Sequence, residues 1–134
     1  MTFSRTFHFG TPQRWDATMI HSAERGTIVD YLGTHQHIAV DLHLRVDDGA
    51  LVIRSGEQRF HEGPLTLRVP RLVTGQARVR ESYDKRIGRF RIEVAVTNRW
   101  FGPPFGYRGT FSVGYPVCDT VPPAVQPLRE QLRT

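Results

Sequence analysis

Residues 35–45 hold a dense set of side chains able to do chemistry: His35, His37, Asp41, His43 and Arg45. Side chains two apart on an extended strand project the same way, so a His-x-His pair can ligate one metal ion. His35, His37 and His43 are the candidate metal ligands on this count. Asp41 joins them only if the strand bends, because four residues of strand span roughly 13 Å. The plainer reading is a solvated polar face. No Cys-x-x-Cys or His-Glu-x-x-His motif supports a metal, and no cofactor is expected.

A second set consists of polar residues on apolar faces. Arg5 shares the face of Phe3, Phe7 and Phe9, and Asp30 that of Ile28 and Leu32. Glu81 shares the face of Ala77 and Val79, and Tyr107 that of Phe105 and Phe111. Were those faces turned inward, Arg5, Asp30, Glu81 and Tyr107 would converge in an apolar lining, the usual form of a small-molecule site. Arg5 would then pair with Glu81 or Asp30, since buried charges are costly alone. A carboxylate such as Glu81 in an apolar pocket has a raised pKa and is able to act as acid or base. The alternative is that these residues sit at strand ends and reach solvent.

A third set is an arginine face: Arg45, Arg54, Arg78, Arg80, Arg91 and Arg108. If residue 82 pairs with 89, Val79 meets Ile92, Arg78 meets Glu93 and Arg80 meets Arg91. The last pairing asks for an anion, which makes Arg80, Arg91 and Arg108 the candidate anion-binding residues. Otherwise the set is the wet side of a sheet. Ser55, Ser82 and Ser112 lack the Gly-x-Ser-x-Gly setting of a nucleophile.

The elements that must position these residues are strands. Residues 36–46 alternate apolar and polar, with Gln36, Ile38, Val40, Leu42, Leu44 and Val46 on the face that should be buried. Asp48–Gly49 is a hairpin signal leading to Leu51 and Ile53, with Gly56 as an interruption. Residues 3–9, 15–19, 27–32 and 65–69 read as further strands, and 70–75 as a break with a short helical turn. Residues 77–82 and 90–96 form the clearest hairpin; 98–104 read as a loop and 105–115 as the last strand, ended by Pro116. The expected fold is all-β: an antiparallel up-and-down meander of about eight to nine strands, closed or partly closed as a lipocalin-like barrel, with a β-sandwich as runner-up. Residues 1–116 make a single domain, and 117–134 a Pro-rich peripheral tail with a short helical stretch near Leu128–Leu132.

Composition narrows the classes. A hydrophobic content of 39% argues against disorder. No apolar run approaches the ~20 residues of a membrane span, and MTFSRTFHFG has no signal-peptide core, so a cytoplasmic protein is expected. The lone Cys118 forms no internal disulfide. The net charge of +5 and pI of about 10.1 invite nucleic acid. However, the cations are dispersed among acids, and one lysine, Lys85, stands against seventeen arginines. That bias fits codon usage better than a binding surface, so nucleic acid is not the expected partner.

Five runs carry a family resemblance: GALVIRSGEQRF (49–60), GPLTLRVPRL (63–72), ARVRESYD (77–84), GRFRIEVAVTN (88–98) and GPPFGYRGTF (102–111). Together they resemble the bacterial domain-of-unknown-function family 4166 over most of residues 5–115. Members of that family occur alone or fused behind saccharopine-dehydrogenase-like NAD(P)-binding domains, and usually carry further sequence before the first strand seen here. The resemblance implies an all-β fold and a bacterial source, and transfers no activity. The expected function is binding of a small apolar or amphipathic, lipid-like ligand in the interior, not catalysis. The alternatives are acid–base chemistry on a small organic substrate, and an interaction module with a basic surface or a homo-oligomer.

Overall fold

The structure, a computed structural model, describes residues 1–70, 74–98, 100 and 102–133, without the side chains of Phe9 and Pro104. The expected helical turn within 70–75 therefore lies largely outside the described residues, as does the Phe9 ring. Nine strands are described: β1 (Thr2–Phe9), β2 (Thr11–Ser22), β3 (Thr27–Leu32), β4 (Ile38–Asp47), β5 (Ala50–Glu62), β6 (Leu65–Arg68), β7 (Gln76–Asp84), β8 (Arg89–Asn98) and β9 (Gly102–Phe111). They form one antiparallel sheet in the order β1-β2-β3-β4-β5-β7-β8-β9, with β6 pairing β5. The path runs in sequence order and no ladder joins β1 to β9 among the described residues, so the sheet is not closed. No helix there is long and apolar enough to cross a membrane.

The chain divides into two compact units. The first is Met1–Asp41, Glu57–Arg68 and Val117–Thr134; the second is Leu42–Gly56 and Val69–Pro116. In the first, Gly10 (φ +83°) supplies the left-handed residue of the β1–β2 turn, a conformation that costs glycine least. Its core is Val29, Tyr31 and Ala39 with Ile20 against them. The tail packs here: the Tyr31 hydroxyl accepts the Arg133 N–H at 2.9 Å. Gln36 Nε2 donates to the Arg129 carbonyl at 3.1 Å, and Arg14 donates to the Ala124 carbonyl. Its helical turn is at Pro123–Val125, not at 128–132.

In the second unit, Ala50 and Val52 are fully buried. The turn before Ala50 has both Asp48 and Gly49 at positive φ, as the Asp-Gly signal requires. Strand β8 alternates between half-buried Phe90, Ile92, Val94 and Val96 and exposed Arg91, Glu93 and Ala95, as its period of two dictates.

Four expectations need correction. The apolar set of β4 is not uniformly buried: Val40 and Leu42 are, while Ile38 and Leu44 are exposed and Val46 is 79% exposed. Ala39 and Asp41, on the opposite face, are buried as well. Period two marks two faces without saying how far each is covered. Gly56 does not interrupt β5, which continues to Glu62. Residues 102–104 belong to β9, and that strand ends at Phe111, short of 115. The β7–β8 hairpin is offset by two residues, which keeps the faces and changes every partner: Val79 opposes Val94, Arg80 opposes Glu93 and Arg78 opposes Ala95.

Candidate functional site

The histidines do not gather. Strand β4 begins only at Ile38, and Gln36 sits at φ +56°, so the strict alternation of 35–37 is broken. His35 and His37 stack edge to face at 5.7 Å, and His37 Nδ1 lies 2.8 Å from the Glu62 carboxylate. No group of three or more His, Cys, Asp or Glu among the described residues is placed to hold a metal ion.

Asp41 is committed elsewhere. Its Oδ1 accepts from Arg59 at 2.7 Å and its Oδ2 from Arg25 at 2.8 Å. Both arginines also reach Glu57 at 3.1 Å, and Arg68 meets the other Glu57 oxygen at 3.2 Å. Burial alone would raise the Asp41 pKa, but the hydrogen bonds and charges of Arg59 and Arg25 outweigh it and hold the carboxyl below its usual range. Glu57 is held low by the same balance. This network escaped sequence reasoning because its members come from four separate stretches, around residues 25, 41, 57–59 and 68. Its only local sign was an acid inside the apolar β4 run.

Arg5 and Asp30 lie in the first unit and Glu81 and Tyr107 in the second. Arg5 is exposed on β1 opposite Trp15. It forms no ion pair with Asp30 among the described residues, though its charge offsets part of the burial that pushes the Asp30 carboxyl up to about 6. Asp30 is buried and its Oδ1 has no hydrogen-bond partner among the described residues. His61, also buried, bonds Thr66 Oγ1 through Nδ1 at 3.0 Å and leaves Nε2 unpaired. Burial, then the nearby Arg133 and Arg59 charges, lower its pKa.

Glu81 is half-buried on the apolar face of the second unit, opposite Leu51 on one side and Ile92 on the other. It has no hydrogen bond or ion pair among the described residues, and burial raises its pKa. Ile92 opposes Gly109, over which there is open space, and Tyr107 opposes Val94 one pair along. Tyr83, Phe90 and Phe111 line the far side, with ring centroids 5.0 and 5.3 Å apart. The arrangement is an apolar, aromatic-edged surface carrying one lone carboxylate.

The arginine face is reassigned. Arg91 bonds Asp84 at 2.7 Å and opposes Ser82, not Arg80. Glu93 stands opposite both Arg80 and Arg108, and Arg80 also approaches Asp47 at 3.6 Å. Each of the three candidate anion ligands thus already has an acid beside it, so the expected Arg80–Arg91 clash does not exist.

An open antiparallel sheet with a partly ion-paired arginine face and an apolar face bearing Glu81 defines an all-β domain without a recognisable catalytic set among the described residues. The chain belongs to the family described as a domain of unknown function, DUF4166, whose pattern matches residues 1–111. It is similar to the uncharacterized protein YndH of Bacillus subtilis, 35% identical over 111 residues, covering 81% of this chain and 54% of the relative. The chain therefore spans about half the length of that relative. No solved structure matches the chain.

Proposed function

We propose that this domain binds a small amphipathic molecule on the apolar face of β7, β8 and β9, with Glu81 receiving its hydrogen-bond-donating or cationic head. The observation that carries the reading is Glu81 itself, half-buried among apolar side chains with no partner among the described residues. A carboxylate left so is costly unless something else satisfies it. The open space above Gly109, the half-covered Phe90, Ile92 and Phe111, and Tyr107 nearby suit an apolar body beside that head. The test is calorimetric titration with decylamine and decanol below their aggregation concentrations. The amine should bind the wild-type chain about tenfold more tightly than Glu81→Gln, a difference of about 1.4 kcal/mol. Decanol should bind both alike. Equal amine affinity for the two proteins, or no binding of either probe, would sink the reading.

A further inference from the structure

On the arginine face of the second unit, Arg54 and Arg78 are direct cross-strand partners in the β5–β7 ladder. Side chains so placed have Cβ atoms about 4.5–5.5 Å apart, and like charges there destabilise a sheet. Other arginines of this face have relief: Arg45 meets Asp47 at 3.2 Å, Arg91 meets Asp84, and Arg80 and Arg108 flank Glu93. Arg54 and Arg78 have no carboxylate partner among the described residues. The other neighbour of Arg78 is Ala95, whose own partner is Gly106, so the row on the Arg78 side presents only small side chains.

The β5–β7 ladder ends at this pair. One residue further, Ser55 Oγ takes the Ala77 N–H at 2.8 Å, a side chain standing in where the strands part. The parting opens a groove of about 700 Å³ lined by His43, Arg45, Arg54, Arg78, Gln76 and Thr97, among others, and by no acidic residue among the described residues. Two unneutralised forks, a third arginine and neutral donors make a set suited to a tetrahedral oxyanion.

We propose that this groove binds a small phosphate-bearing anion between Arg54 and Arg78. Its binding removes the like-charge cost that the bare ladder carries, so it stabilises the fold by mass action. The site lies on the opposite face from Glu81 and stands independently of the reading made for that face.

Melting curves at matched ionic strength test it, with inorganic phosphate, glycerol phosphate and acetate each compared with chloride. The wild-type melting temperature should rise saturably with phosphate and not with acetate. A response tenfold more sensitive to glycerol phosphate would assign the groove to phosphorylated small molecules; equal sensitivity would assign it to the free ion. Arg54→Glu supplies the missing carboxylate to Arg78. It should melt higher than wild type in chloride and lose the phosphate response, so loss of binding is separated from loss of folding. Arg108→Gln, outside the groove, should keep the response. An unresponsive wild type, an Arg54→Glu variant that still responds, or an Arg108→Gln variant that loses the response overturns the proposal.

Discussion

Asp30 is buried with no hydrogen-bond partner for its Oδ1 among the described residues. Its carboxyl rises from an ordinary 3.8 to about 6 because burial strips its solvent, and Arg5 offsets only part of that. The sign of the consequence follows from proton counting. Between roughly pH 4 and 6 the folded protein holds a proton that the unfolded chain has released, so stability falls as pH rises through that window. The full difference is about 3 kcal/mol. Asp30→Asn removes the charge and keeps the shape. It should gain about 2 kcal/mol over wild type near pH 7.5 and almost nothing near pH 4, read from urea midpoints at the two values. A gain that does not change with pH would mean the carboxyl is not the source. Arg91 supplies the opposite kind of case. Its side chain holds the Asp84 carboxyl low by a direct hydrogen bond, so Arg91→Asp sets two acids side by side at the turn end of the β7–β8 hairpin. Its melting temperature should fall, and fall less at high salt. From the sequence alone, with Arg80 opposite Arg91, this substitution reads as near neutral or stabilising.

At the scale of the strand, β4 shows what alternation can and cannot tell. It located the element and its turn, because Asp48–Gly49 needs positive φ and the flanking residues need opposite faces. It did not reveal that residues 39–42 are buried on both sides. Covering the polar side depends on Arg25 and Arg59, 16 and 18 residues away, which no local period encodes. The β7–β8 hairpin was legible in its faces and not in its register. Sliding by two residues preserves every inside–outside assignment, so hydrophobic pattern is blind to it. The candidate site fared accordingly. Alternation puts Glu81 on one face with Leu51 and Ile92, whereas the register replaces the expected Arg80–Arg91 pairing with Arg54 opposite Arg78. Asp41→Asn leaves Arg59 buried against Glu57 alone and should cost about 3 kcal/mol in urea unfolding, since breaking a buried pair is far worse than replacing it whole. Asp41→Leu combined with Arg59→Met should recover more than half of that loss. If the double variant is worse than either single change, the network stabilises through geometry that apolar packing does not replace. Because Asp41 is held low, its contribution is present above its unfolded value and lost as pH falls through its folded one, opposite to Asp30.

For the molecule as a whole, the boundary of the family match is informative. The match ends at residue 111, and yet residues beyond it close the core of the first unit. The Tyr31 hydroxyl, in a side chain only 2% exposed, is met by the Arg133 N–H. Gln36, held at positive φ where the chain turns into β4, is met by the Arg129 carbonyl. Arg14, already bonded to Asp16, also donates to the Ala124 carbonyl. The tail is irregular apart from its one short turn, so its order comes from these contacts and not from local propensity. Each hydrogen bond is worth about 1 kcal/mol net, and leaving buried partners unmet costs more. Ending the chain after Pro116 should therefore destabilise it by about 2–4 kcal/mol. Amide exchange should quicken in β2 and β3 before it quickens in β7 and β8, because the lost contacts fall on Arg14, Tyr31 and Gln36. Tyr31→Phe removes one of these bonds and keeps the ring, and should show about a third of the loss. Unchanged exchange in β3 on truncation would mean that the tail lies on the first unit without holding it.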